Sequence, residues 1–269
     1  MKKILSLALT LAMLLSLSAC AGPQSPEEVF AAVSEQMAGT KSAEFSVDMK
    51  LGADSGGIPL EMSVTGTGEV LADPQTVHMD VNVNLGVAQV DTQLYSRLKE
   101  GILNTYLGVS MGGDAVWARD RREAAEIATP IGALRLLQTA QELEELPETE
   151  TVDGVEGTRY SAAILGDDIV GIMDALDLFT EDLLGEGIDA PYFREIVTPV
   201  ARLPVSILID REALTLMEIR MDLSELLQVT TGAVPGLSFH EYTLTLRLRN
   251  LNGVGSIKIP PAAINAPID

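Results

Sequence analysis

Val77-His78-Met79-Asp80-Val81-Asn82-Val83-Asn84-Leu85 alternates apolar and polar side chains without a fault. A period of two sends every apolar side chain to one face of a strand and every polar one to the other. Phe45-Ser46-Val47-Asp48-Met49-Lys50-Leu51 and Leu60-Glu61-Met62-Ser63-Val64-Thr65 repeat the pattern. Turn residues separate the runs, Asp54-Ser55-Gly56-Gly57 and then Asp73-Pro74. Links this short make the neighbours antiparallel. The same reading predicts further strands at 88–97, 102–109, 115–119, 155–165, 203–209, 214–222, 239–250 and 254–259.

Helical spacing occupies the rest. Ser25-Pro26-Glu27-Glu28 opens a helix as a capping box with proline in the first turn. Val29, Phe30, Val33 and Met37 form its apolar stripe, and Gly39 stops it. A second helix is expected over 121–146, broken at Pro130 and ended by Pro147. A third spans 168–184, with Ile172, Met173, Leu176 and Phe179 on one face. A shorter one covers 191–201, and 224–228 reads as one helical turn.

The layout is helix, strands, helices, strands, with no βαβ rhythm and no break in composition. It predicts an α+β fold: one large curved antiparallel sheet of about eleven strands whose apolar face is covered by amphipathic helices. Helices are few for so many strands. Two arrangements are open: an apolar cavity between sheet and helices, or a filled core. The residues that would line a cavity are Phe30 and Val33 on the first helix and Phe45, Val47, Met49, Met62, Met79 and Val81 on the early strands. Ile172, Met173 and Leu176 would join them from the third helix, and Ile207, Met217, Ile219, Tyr242, Leu244 and Leu246 from the late strands. Methionine adapts to irregular apolar partners, and it recurs in this set.

The N-terminus has a different grammar. Lys2 and Lys3 precede an apolar run from Ile4 to Leu17, then Ser18-Ala19-Cys20. The run falls short of the roughly 20 residues that cross a bilayer, and its order is that of a cleaved export signal. Cys20 is the single cysteine, so no intrachain disulfide can form and stability must come from core burial. Leu17-Ser18-Ala19-Cys20 resembles the lipobox of bacterial lipoproteins. That resemblance implies cleavage before Cys20, its diacylation through a thioether, and anchoring at the outer face of the cytoplasmic membrane. Two acyl chains hold stably where one holds only marginally. The expected organisation is a signal peptide over 1–19, the lipidated cysteine and a short tether over 20–25, and one domain over 26–269.

Removing Lys2 and Lys3 leaves 16 basic against 39 acidic residues, a formal −23. Such a surface stays soluble and repels polyanions, so nucleic acid is no expected partner. Anionic headgroups repel the body too, which leaves the anchoring to the acyl chains.

The lipobox, the capped opening helix, the alternating strands, the mid-chain helices and the closing Ile259-Pro260-Pro261 together resemble the LolA/LppX/LprG type of lipoprotein. The resemblance implies a half-barrel sheet whose concave side holds acyl chains beneath helices. It implies a lipid or acyl-chain ligand, no cofactor and no catalytic residues. The alternative is a non-enzymatic cell-envelope module with a filled core, binding a protein or glycan.

Gly108-Val109-Ser110-Met111-Gly112 matches the nucleophile-elbow pattern, with His240 downstream. An elbow belongs between a strand and a helix, whereas this string sits between two predicted strands and reads as a glycine-rich turn. A serine esterase using Ser110 is therefore a remote alternative. His78 falls on the polar side of its strand and is expected to be solvated; His240 alternates with Tyr242 and is expected to be partly buried. Two isolated histidines make no zinc site. The acidic residues crowded around Asp168 and Asp174 lack a calcium-loop pattern and read as a solvated face. Cys20→Ser is expected to leave the full chain unprocessed or to release it from the membrane fraction, as read by gel mobility and fractionation. A processed, membrane-bound variant would overturn the lipobox reading.

Overall fold

The computed structural model describes residues 25–86, 88–124, 127, 135–165, 168, 202–225 and 237–268. Its first element is α1, Pro26–Ala38. The Ser25 hydroxyl accepts from the Glu28 amide and the Glu28 carboxylate accepts from the Ser25 amide, the reciprocal box that satisfies two free donors at a helix start. The stripe of Val29, Phe30, Val33 and Met37 is buried.

Six strands follow: β1 Ser42–Ser55, β2 Ile58–Ala72, β3 Gln75–Asn84, β4 Gln89–Lys99, β5 Ile102–Ser110 and β6 Val116–Glu123. After a short α2, Arg135–Thr139, come β7 Gln141–Val152, β8 Val155–Leu165, β9 Arg202–Asp210, β10 Thr215–Asp222 and β11 Leu237–Arg249; a four-residue α3, Pro261–Ile264, lies near the end. All eleven strands join one open, curved antiparallel sheet in the order β6-β5-β4-β3-β2-β1-β11-β10-β9-β8-β7. The two hairpin runs meet where β1 pairs β11. Gly56-Gly57 and Asp153-Gly154 turn two of the hairpins with positive φ at both residues, the geometry that matches strand twist. The fold is a half-barrel with helices on its apolar, concave side.

Two expectations are corrected. Within the helix expected over 121–146, residues 121–123 end β6, 135–139 form α2 and 141–146 begin β7, while 125–126 and 128–134 lie outside the described residues. Gln141-Glu142-Leu143-Glu144-Glu145-Leu146 has helix-favouring residues, yet it pairs with β8 along the sheet edge. Pro147 sits in that edge strand at a register break, where a missing amide donor is tolerated. The strand expected over 254–259 is an irregular strap instead, so the eleventh strand is β7. The helices read over 168–184 and 191–201 lie outside the described residues, apart from Asp168, and so does most of 224–228.

The core sits between α1, α2 and the β1/β8–β11 part of the sheet. Phe45, Tyr160, Ile164, Ile207, Ile209, Leu216 and Ile219 are each no more than 1% exposed. Phe30 meets Tyr160 edge to face at 5.4 Å, and Leu137 of α2 joins the same cluster. Met37 places its sulfur 3.0 Å from the Leu216 amide.

The reverse face of this half carries charge. Glu218 is fully buried and meets Arg159 at 2.9 Å, Arg220 at 2.7 Å and Arg247 at 2.6 Å. Arg159 also bonds Glu150 and donates to the Ser206 hydroxyl at 3.0 Å. One carboxylate thus ties β8, β10 and β11 together, with β7 and β9 attached through Arg159. Burial pushes the Glu150 carboxyl up, but the bonds and charges of Arg159 and Arg220 outweigh it and hold its pKa below the ordinary range. Removing one partner of a buried charge cluster strands the others. Glu218→Gln is expected to lower unfolding stability by about 3–5 kcal/mol in urea denaturation; a loss under about 1 kcal/mol would mean the arginines find water instead.

Candidate functional site

The site is the apolar face itself, and the register shows how it is built. Val47, Gly66, Val81, Thr92 and Val109 form one row across β1–β5. Met49, Val64, Val83 and Val90 form the next. On the β11 side, Val47 faces Leu246, Met49 faces Leu244 and Leu51 faces Tyr242. Alternation alone delivers this surface, because every second residue of each strand points the same way.

The face is not uniformly covered. Toward β8–β11 it is sealed by α1. Toward β6 it is not: Met62, Val64, Val81, Val83, Val90, Leu94 and Val109 are only half-buried. Leu107 is 39% exposed and Val116 77%.

The expected lining residues divide accordingly. Phe30, Val33, Phe45, Ile207 and Ile219 are packed into the core, and Val47, Met79, Leu244 and Leu246 lean on it. Met49, Met62, Val81 and Tyr242 lie on the half-buried face. Burial raises the Tyr242 phenol above its ordinary pKa, so it stays neutral there. Met217 is a correction. A bulge between Leu216 and Glu218 shifts the register, so Leu216 faces the core. Met217 lies beside Leu208 over Gly157 on the polar face, where a Cβ on Gly157 would meet its sulfur at 2.9 Å. Ile172, Met173 and Leu176 lie outside the described residues, as does Cys20. Val64, Val83, Val90, Leu94 and Val109 belong to the face but were not singled out from sequence; Thr92 and Ser96 interrupt the apolar series on β4 and weaken its signal.

Two glycines shape the floor. A Cβ on Gly68 would lie 2.2 Å from the His78 carbonyl oxygen and 2.6 Å from the Phe45 ring. Phe45 therefore lies flat on bare backbone. Gly66 is roomier, its nearest contact 3.3 Å away.

The polar face answers the remaining motifs. The Ser110 hydroxyl donates to the Gly113 carbonyl at 2.7 Å and closes the β5–β6 turn. Gly108 leaves room for Trp117, whose ring a Cβ would meet at 2.9 Å. Ser110 on β5 and His240 on β11 are separated by β4, β3, β2 and β1. At about 4.8 Å per strand the gap exceeds 20 Å, and no triad can form. His240 is a correction: its side chain is 54% exposed, with Nδ1 3.6 Å from Asp54. His78 is another: its side chain is only 17% exposed, and its ring stacks on Tyr95 at 4.3 Å. Among the described residues no group of three or more metal-ligating side chains gathers, and no helix is long and apolar enough to cross a membrane.

The strap over 250–268 crosses this polar face. Ile257 and Ala263 pack on Tyr95 and Tyr106, the Ile257 carbonyl accepts from Arg97 at 2.9 Å, and Arg119 lies over the Tyr106 ring. Beside the strap runs an open polar trough of about 540 Å³ bordered by Asp48, Thr65, Asp80, Asn82, Asp91 and Gln93.

The fold is similar to that of the lipoprotein LppX of Mycobacterium tuberculosis, at 14% identity over 87% of this chain and 98% of that one, with a TM-score of 0.48. It is also similar to LprF of Mycobacterium bovis, at 14% identity over 90% of this chain and 100% of that one, with a TM-score of 0.45. LppX is of the type that the sequence resembles. Neither a family model nor a curated protein sequence matches the chain.

Gly68→Ala is expected to cost about 1–3 kcal/mol in thermal or urea unfolding, because the new methyl meets backbone and ring at once. Gly66→Ala should cost clearly less. Equal costs would mean that Phe45 is free to move away.

Proposed function

We propose that this chain is a membrane-anchored extracytoplasmic lipoprotein that binds or carries lipid acyl chains against the apolar face of its sheet. The observation that carries the reading is the uneven cover of that face. One half is a finished core, yet the same apolar rows continue across β2–β5 only half-buried. Water on that surface costs roughly 25 cal/mol per Å². A flexible hydrocarbon chain removes the cost without demanding a fixed shape, which suits a floor of valine, leucine and methionine. The reading is binding and not turnover. Anchoring follows from the lipobox at Cys20.

The test is the lipid content of the mature protein purified without detergent, read by native mass spectrometry. Co-purifying lipid, and uptake of a fluorescent fatty acid, are expected. Val81→Asp puts a carboxylate in the middle of the face; it should reduce lipid occupancy by about tenfold or more, since an unpaired charge facing hydrocarbon costs several kcal/mol. A protein of bare mass that takes up no fatty acid would overturn the reading. The polar trough favours one second reading, an envelope module that holds a glycan or protein on the opposite face. A lipid-free protein that recovers such a partner by cross-linking would support it.

A further inference from the structure

The three hairpin tips that close β1–β2, β3–β4 and β5–β6 lie at one end of the strands. The strands of a half-barrel ought to end in polar turns, and at the opposite end they do: Asp73-Pro74, Glu100-Gly101, Asp153-Gly154 and Asp210-Arg211-Glu212-Ala213. The tips at the first end differ. Nine large apolar side chains are exposed among the described residues, and five of them stand here: Ile58 at 66%, Leu60 at 49%, Leu85 at 46%, Met111 at 77% and Val116 at 77%. Leu60 is paired with Ala53 and Val116 with Val109, so both stand on the apolar side of the sheet. The rim is thus a continuation of the apolar face.

Helix α1, followed from its last turn to its first, inclines toward the same end of the strands. Met37, near the end of α1, lies against Leu216 at the start of β10. Phe30, two turns earlier, lies against Tyr160, whose row runs through Ile207, Ile219 and Leu246 to Val47. Leu216 faces Ile209 and Tyr160 faces Ile207, so from Met37 to Phe30 the helix moves two residues along the strands toward the tip end while crossing from β10 to β8, and Ser25 lies further along it. Cys20 is five residues before Ser25, a span of at most about 17 Å.

We propose that this apolar rim docks on a lipid bilayer, so that the half-buried apolar face opens at the membrane surface beside the acyl anchor. Chain and anchor together then hold the half-barrel tip-first. The contact is apolar and not electrostatic, because the acidic Asp54, Glu61, Asp114 and Glu241 flank the tips. Docking should therefore be firmer on zwitterionic than on anionic lipid. The proposal rests on Cys20 being the anchor, and it can fail while lipid binding stands.

The test uses the acylated mature protein in phosphatidylcholine proteoliposomes, with an environment-sensitive fluorophore on Met111→Cys or, as control, on Glu100→Cys at the opposite end. Acylation leaves Cys20 unavailable to the label. Lipid-borne nitroxide is expected to quench the Met111 label at least about threefold more than the Glu100 label, as a side chain in the interface lies within the headgroup and acyl boundary. Adding Val116→Asp and Ile58→Asp should reduce that quenching to the control level, while co-purifying lipid is retained. Equal quenching at both sites, or stronger quenching at Glu100, overturns the docking. Quenching at Met111 in a protein that binds no lipid supports docking and removes only the carrier reading.

Discussion

An open antiparallel sheet with one apolar face cannot leave that face in water, and this constraint organises the molecule. Across β8–β11 the answer is α1, whose Val29, Phe30, Val33 and Met37 complete a dry core. The same rows run on through β2–β5, where cover thins. Uneven burial on a continuous surface is the feature from which both the ligand and the membrane orientation are inferred.

The two halves are braced differently on their polar backs. Behind the sealed half, Glu218 sits under three arginines and fixes the strands by charge. A cluster like this is costly to desolvate and costly to disturb, so it holds register more than it adds net stability. Behind the open half, the strap presses Ile257 and Ala263 onto Tyr95 and Tyr106.

The motifs that suggested chemistry resolve into geometry. In the string around Ser110, Gly108 makes room for Trp117, and the Ser110 hydroxyl closes a turn. His78 stacks on a tyrosine beneath the polar surface. None of these roles needs a reaction.

Much was legible in the residue order. Period-two alternation marked ten of the eleven strands, because a half-buried strand imprints its two faces directly on its sequence. The capping box and stripe marked α1 for the same reason. What escaped was decided by partners distant in the chain. β7 carries a helix-favouring run, yet β8 offers it an edge, and pairing outweighed propensity. One bulge turned Met217 to the other face, since a single extra residue reverses a period of two. The strap alternates like a strand but finds side chains in place of a ladder. The sequence alone determined that one face of a broad sheet is apolar. Only the tertiary structure decided how much of that face α1 covers, because cover depends on where α1 lies across the strands, and no local pattern records that.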